Sequence, residues 1–250
     1  WLKDIGVKGV KVDFFQSDKQ NIISHYLSIL EDAADFQIMV NFHGCTVTRG
    51  WSRTYPHLMT MEAVRGAECY IFDPLYPDYA PWHNTILPFT RNAVGPMDYT
   101  PVTFEDNTYP HKTSFGHELA LSVVFESGWL HLADRVNGYL DLPIETKTFL
   151  KEIPVVWDEI KLVDGMPGKL AVIARRSGDT WYVGGINGQE TAMDFVPQLD
   201  FLADGTYKAQ IIADGADGKS FSVSTAELDK SLKPTIKMLP FGGFVMKLEK

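Results

Sequence analysis

Residues 7–15 read Val7-Lys8-Gly9-Val10-Lys11-Val12-Asp13-Phe14-Phe15. β-Branched and aromatic side chains dominate this stretch, and its alternation predicts a strand whose last residues include an acid, Asp13. Ser17-Asp18-Lys19-Gln20 follows with the pattern of a capping box. Apolar side chains then recur at Ile22, Ile23, Tyr26, Leu27, Ile29, Leu30, Ala33 and Ala34, which is helical spacing. Residues 37–42 predict a second short strand ending at His43-Gly44, and residues 58–62 a third. Strand, helix and strand joined by short links predict βαβ units in a parallel sheet.

Downstream, residues 69–96 are rich in Pro, Tyr, Trp and Asp and have no period, so they are expected to form a long loop of the kind that is more often functional than idle. A further strand is expected over 96–100 and a capped helix from about Ser114 to Glu126, closed by Gly128. A last αβ-like stretch runs to about Leu162, with Pro143 at a helix start. After Asp164-Gly165-Met166-Pro167-Gly168 the texture changes. Short alternating runs are separated by Ser177-Gly178-Asp179, Asn187-Gly188, Asp204-Gly205 and Asp217-Gly218, which are hairpin turn signals and predict an antiparallel β-sandwich. The expected division is residues 1–164 and residues 165–250.

The composition agrees with an ordinary globular chain: 250 residues, 45% hydrophobic and 22% charged. Lys and Arg number 23 against 32 Asp and Glu, a formal charge of −9 that leaves no basic footprint for nucleic acid or an anionic membrane. No apolar run approaches the ~20 residues of a membrane span. Cys45 and Cys69 are too few for a disulfide scaffold and match no metal-binding spacing.

In a (β/α)₈ barrel, loops from several strands converge on one cavity only at the strands' C-terminal ends. Asp13, His43, Glu62 and Asp98 each fall at or near such an end, with Glu68 just beyond the third. Converging carboxylates suit glycoside hydrolysis, in which one attacks the sugar or activates water and the other, protonated, serves the leaving oxygen. Trp51, Tyr55, Tyr70, Tyr76, Tyr79, Trp82 and Tyr99 would either pack against sugar faces or fill an irregular core. Asp98 would bind a sugar hydroxyl or cap a turn. Arg53 and Arg65 would pair with acids near the cavity or contact substrate, and His57, His83, His111 and His117 lack metal spacing.

Three runs, GVKGVKVDFFQSDKQ (6–20), VNFHGCTVTRGWSRTYPHLMTMEAVRGAE (40–68) and GPMDYTP (95–101), resemble the second half of the catalytic barrel of glycoside hydrolase family 97, calcium-dependent bacterial α-glycosidases. The β-rich tail resembles that family's C-terminal domain. RTYPHLMTMEAVRGAE is the most specific part of the likeness. The resemblance implies a fold, namely the later strands of a (β/α)₈ barrel followed by the antiparallel β-sandwich. It also implies roles. The family's inverting α-glucosidases carry a base where this chain has Gly44, whereas its retaining, α-galactosidase-like members carry an aspartate nucleophile where this chain has Asp13.

By that match Asp13 is the nucleophile, Glu68 the acid/base, Glu62 a Ca²⁺ ligand, and Lys11 and His43 contacts to sugar hydroxyls. Lys11 is expected to lower the pKa of Asp13, and an apolar, acidic neighbourhood to raise that of Glu68. The expected substrate is an α-linked galactoside or glucoside oligosaccharide, with α-glucosidase activity or non-catalytic carbohydrate binding as alternatives. About 165 residues are too few for a barrel that typically needs ~250. The chain is therefore expected to be the C-terminal portion of a longer secreted or periplasmic enzyme.

Overall fold

The parallel strands expected around Asp13 form. β1 (Gly9–Val12), β2 (Met39–Phe42) and β3 (Leu58–Met61) lie side by side in that order in a computed structural model describing residues 1–106 and 108–250. Lys11 pairs with Asn41, and Asn41 with Thr60. Helix α1 (Gln20–Phe36) covers the sheet because Tyr26, Leu30 and Ala33 share one face and bury against Val40, Phe42 and Leu58. Its start differs from the expected capping box. Lys19 occupies the N-cap without a side-chain bond, and the Ser17 hydroxyl instead accepts from the Lys19 N–H at 3.2 Å.

The expected long loop over 69–96 is largely helical: α2 (Cys69–Phe72), α3 (Tyr76–Ile86) and short 3₁₀ turns at Leu87–Phe89 and Asn92–Val94. Pro77 sits in the first turn of α3, where its missing N–H is harmless. The buried stripe Tyr76, Ala80, Asn84 has helical spacing, but Pro81 and a buried polar Asn84 disguise it in the sequence. Residues 96–100 are not a strand; one parallel bridge joins Met61 to Met97. Helix α4 (Phe115–Val124) begins as expected on Ser114, whose side chain accepts from the His117 N–H. After α5 (Val136–Leu140), α6 (Ile144–Glu152) starts directly after Pro143.

The C-terminal strands are β4 (Glu159–Met166), β5 (Leu170–Ser177), β6 (Thr180–Asn187), β7 (Met193–Phe195), β8 (Tyr207–Asp214), β9 (Phe221–Leu228), β10 (Ile236–Met238) and β11 (Gly243–Glu249). Six form one antiparallel sheet, ordered β4-β5-β6-β11-β8-β9, while β7 and β10 pair separately. Residue 164 therefore lies inside β4. Among the described residues, only the β7–β10 ribbon forms an opposing β layer. Along β5, Val172 and Ala174 pack on the ribbon side with Phe195, Ile236 and Met238. Ala171 and Ile173 face the other core, with Leu119, Ala120 and Val123 of α4.

Helix α4 is buried almost all round and is held at both ends by the sheet. At its N-terminus the Ser114 hydroxyl donates to Asp214, whose carboxylate also accepts from the Leu239 N–H at 2.8 Å. At its C-terminus the buried Arg175 guanidinium donates to the Val123 and Val124 carbonyls at 2.6 and 3.1 Å, satisfying orphan acceptors where a cation is favoured. Among the described residues no helix is long and apolar enough to cross a membrane.

His117 on α4 is fully buried, and its Nε2 accepts from Asn84 Nδ2 at 3.1 Å. Burial pushes its imidazole down to about 3. A histidine that is neutral when folded takes up a proton on unfolding, so its contribution is complete above about pH 6.5 and is lost as pH falls toward 3. We expect that loss to be on the order of 4 kcal/mol. Denaturant unfolding across this range should show a slope that flattens in His117→Gln; an unchanged slope would exclude His117 as its source.

Candidate active site

The backbone ladder continues past the end of each parallel strand. His43 N donates to Val12 O at 2.9 Å, Glu62 N to Phe42 O at 2.8 Å and Asp98 N to Met61 O at 3.0 Å. Asp13, His43, Glu62 and Asp98 thus come to one end of the sheet although up to 85 residues separate them in sequence. Glu68 reaches the same place because Gly66 lets the loop pass against Tyr99: Ala67 N donates to Tyr99 O at 3.0 Å, and a Cβ on Gly66 would collide with that carbonyl. Five non-glycine residues in these connections, Phe14, Gln16, Ala63, Thr100 and Val102, have φ between 40° and 69°. Backbone strain of this kind concentrates where surrounding structure must aim functional groups.

At the centre lies Asp98, with a side chain that is 0% exposed. It accepts from Asn41 Nδ2, His43 Nδ1 and His131 Nδ1, each at 2.8 Å, and pairs with Lys11 Nζ at 3.1 Å. Burial alone would raise its pKa, but the bonds from His131, His43 and Asn41, with the Lys11 charge, hold the carboxyl far below its usual range. Four donors meet this fully buried carboxylate, three at Oδ2 and one at Oδ1, and all are side chains, so Asp98 neither reaches out to a sugar hydroxyl nor caps a turn.

His43 links Asp98 to two further acids, with Nε2 3.2 Å from Glu68 Oε2 and 3.1 Å from Glu62 Oε1. Burial would lower its pKa, yet the bonds to Asp98 and Glu68 and the charge of Glu62 push it up to about 9. The same His43 bond, outweighing burial, holds Glu68 below its ordinary value, with Lys11 Nζ 3.6 Å from Oε1 assisting. This corrects the expected raised pKa of Glu68: the sequence neighbours are apolar and acidic, but the spatial neighbours are cationic. Lys11 likewise pairs with Asp98 and Glu68 rather than with Asp13.

Asp13 sits across Gly44 from Glu62. Its Oδ1 accepts from the Phe14 N–H at 2.5 Å, while Gly44 N donates to Glu62 Oε2 at 2.5 Å. Gly44 has φ +52°, and a Cβ there would lie 2.6 Å from Asp13 Oδ1. The nucleophile candidate therefore occupies the space that any side chain at position 44 would need.

Burial raises the pKa of Glu62, opposed by the charge of His43. Ligand atoms of His43, Glu62 and Glu68 lie within 4.8 Å of one another. Two hard carboxylates with excess negative charge fit part of a Ca²⁺ shell, which takes six to eight oxygens. The imidazole between them does not.

Other expected residues act elsewhere. Tyr70, Tyr76 and Tyr99 are buried in the core, and Trp51 packs on Tyr26, so these rings fill structure. The exposed ring beside Asp13 is Phe14. Arg65 pairs with Asp73, and His57, His83, His111 and His117 bond to neighbouring protein groups. Cys45 and Cys69 are free thiols. The sequence does not point to Asn41 or His131: an asparagine within an apolar strand is the one signal for the first, and Trp129-Leu130-His131 carries none for the second.

Residues 1–64 match the sequence profile described as glycoside hydrolase 97, and residues 156–249 that described as glycosyl-hydrolase 97 C-terminal, oligomerisation. The chain belongs to glycoside hydrolase family 97. Over 221 residues this family 97 chain is 40% identical to a probable retaining alpha-galactosidase of Streptomyces bingchenggensis, covering 87% of itself and 33% of that protein. It is 35% identical over 260 aligned residues to a retaining alpha-galactosidase of Bacteroides thetaiotaomicron, covering 98% and 39%. A solved beta-arabinopyranosidase superposes with a TM-score of 0.91 at 34% identity, covering 99% of this chain and 40% of that one. The family 97 chain thus spans between a third and two-fifths of the curated relatives' length.

Proposed function

We propose that this chain carries the catalytic centre of a retaining exo-α-glycosidase acting on terminal α-galactosides, and that residues 1–164 are the later strands of a (β/α)₈ barrel. The observation that carries retention is at Gly44: Asp13 fills the space that an inverting base at that position would occupy. In the first step an Asp13 oxygen bonds C1 from the β face as the glycosidic C1–O bond breaks, and Glu68 passes a proton to the leaving oxygen. In the second, Glu68 takes a proton from water, which displaces Asp13 from C1 and leaves the α anomer. Lys11 and His43 hold sugar hydroxyls and the acid/base.

In this reading Glu62 would contribute a carboxylate to a Ca²⁺ site. A cation held by Glu62 would offset the carboxylate charge that favours the His43 imidazolium, leaving a proton available to Glu68 3.2 Å from His43 Nε2. Chelation is expected to change the pH–rate profile, and an identical profile without Ca²⁺ would contradict this role.

Product NMR tests the mechanism: α-galactose should appear first, and first-formed β-galactose would sink retention. A second reading, β-L-arabinopyranosidase activity, draws support from the similar solved structure. This substrate has the ring configuration of an α-galactoside without its exocyclic CH₂OH. Relative kcat/KM for nitrophenyl α-galactoside, β-L-arabinopyranoside and α-glucoside separates these readings from the α-glucosidase alternative, and binding without turnover would mark a non-catalytic protein.

A further inference from the structure

We propose that Asp98 is a positioning residue that fixes three donors, Lys11, His43 and His131, in one fan facing the acid/base and the sugar, without itself touching substrate. This rests on the reading of Glu68 as acid/base. A fully buried carboxylate is costly unless it is hydrogen-bonded, and three of the four donors it meets belong to groups that also face Glu68 or the open side. Lys11 Nζ lies 3.1 Å from Asp98 Oδ2 and 3.6 Å from Glu68 Oε1. His43 contacts Asp98 through Nδ1 and Glu68 through Nε2. His131 contacts Asp98 Oδ1 through Nδ1 at 2.8 Å; its side chain is 30% exposed, and its Nε2 has no protein partner among the described residues.

An ionised carboxylate only accepts hydrogen bonds, so both imidazoles must carry a proton on Nδ1. That directs both Nε2 atoms away from Asp98, the first to Glu68 and the second, on a side chain 30% exposed, toward solvent. The three donors come from β1, the end of β2 and the segment after α4, and no two are neighbours in sequence. Among the described residues, Asp98 is the one group bonded to all three. Asn41, the register partner of Lys11 on β2, donates the fourth bond through Nδ2 and keeps the carboxylate from turning. His131 thereby becomes a third substrate-facing group in addition to Lys11 and His43.

The test is a double-mutant cycle in the intact enzyme on kcat/KM for a nitrophenyl α-galactoside. Asp98→Asn should cost about 10²-fold in the parent and at least tenfold less in a His43→Ala background, because a residue that acts through another has less left to position. Losses that multiply in the double variant would overturn the proposal. If Asp98→Asn does not fold, ¹⁵N-histidine NMR of the unmutated protein decides. The resonances assigned through His43→Ala and His131→Ala should both show Nδ1 protonation, and an Nε2-only tautomer at either would overturn it. The NMR result is independent of turnover: an inactive protein with both Nδ1 protons would count against the glycosidase reading and in favour of the Asp98 arrangement.

Discussion

Asp13→Gly is expected to lower kcat by about 10⁴-fold or more while the protein stays folded, equivalent to about 5 kcal/mol of lost transition-state stabilisation. Asp13 is exposed at the end of β1, so its removal leaves no buried group unpaired. Its oxygen is nevertheless aimed: Phe14, at φ +67°, turns its N–H back onto Oδ1. A carboxylate held this way loses little freedom on attacking C1, and no other carboxylate can replace it, since Glu62 and Glu68 are engaged by Gly44, His43 and Lys11. Azide entering the vacated space should restore turnover and give a β-galactosyl azide, because the small nucleophile approaches from the Asp13 side while Glu68 still serves the leaving group. Measured by nitrophenol release and product NMR, activity within tenfold of the parent would remove Asp13 from the mechanism. An α-azide would place the nucleophile on the other face.

Gly44→Ala should cost about 10²- to 10³-fold in kcat through a methyl group that touches no substrate. The added Cβ would sit 2.6 Å from Asp13 Oδ1 and 2.9 Å from the Phe14 backbone nitrogen. The backbone cannot retreat, because Gln16 N bonds Gly44 O at 2.8 Å and Gly44 N bonds Glu62, so the Asp13 carboxylate must move. The left-handed φ of +52° adds a folding cost of about 1 kcal/mol. Because the clash is with Asp13 itself, the losses of Gly44→Ala and Asp13→Gly should not multiply when combined. Thermal unfolding alongside kcat separates the two effects: a large fall in stability with normal activity per folded molecule would show that Gly44 serves only the fold.

Much of this organisation is legible locally. The alternation of residues 7–15, the helical stripe of Tyr26, Leu30 and Ala33, and the hairpin signals after residue 168 each reflect contacts made within a few residues or with one adjoining face. Where a polar or proline residue faces inward, that signal fails. Asn84 and Pro81 conceal α3 in this way, and the alternation of β4 is interrupted by a register shift between Leu162 and Asp164.

By itself the sequence determined that acids stand at the ends of parallel strands, since strand period and chain order suffice to place them, and its motifs identified their family. Only the tertiary structure decided what each acid does. Lys11 turns to Asp98 and Glu68 rather than to Asp13, Glu68 is held anionic by His43, and His131 joins from a segment with no local signature. The physical reason is that charge and protonation depend on groups within a few ångströms in space, and here parallel register and the turn at Gly66 bring those groups together from every part of the first 131 residues.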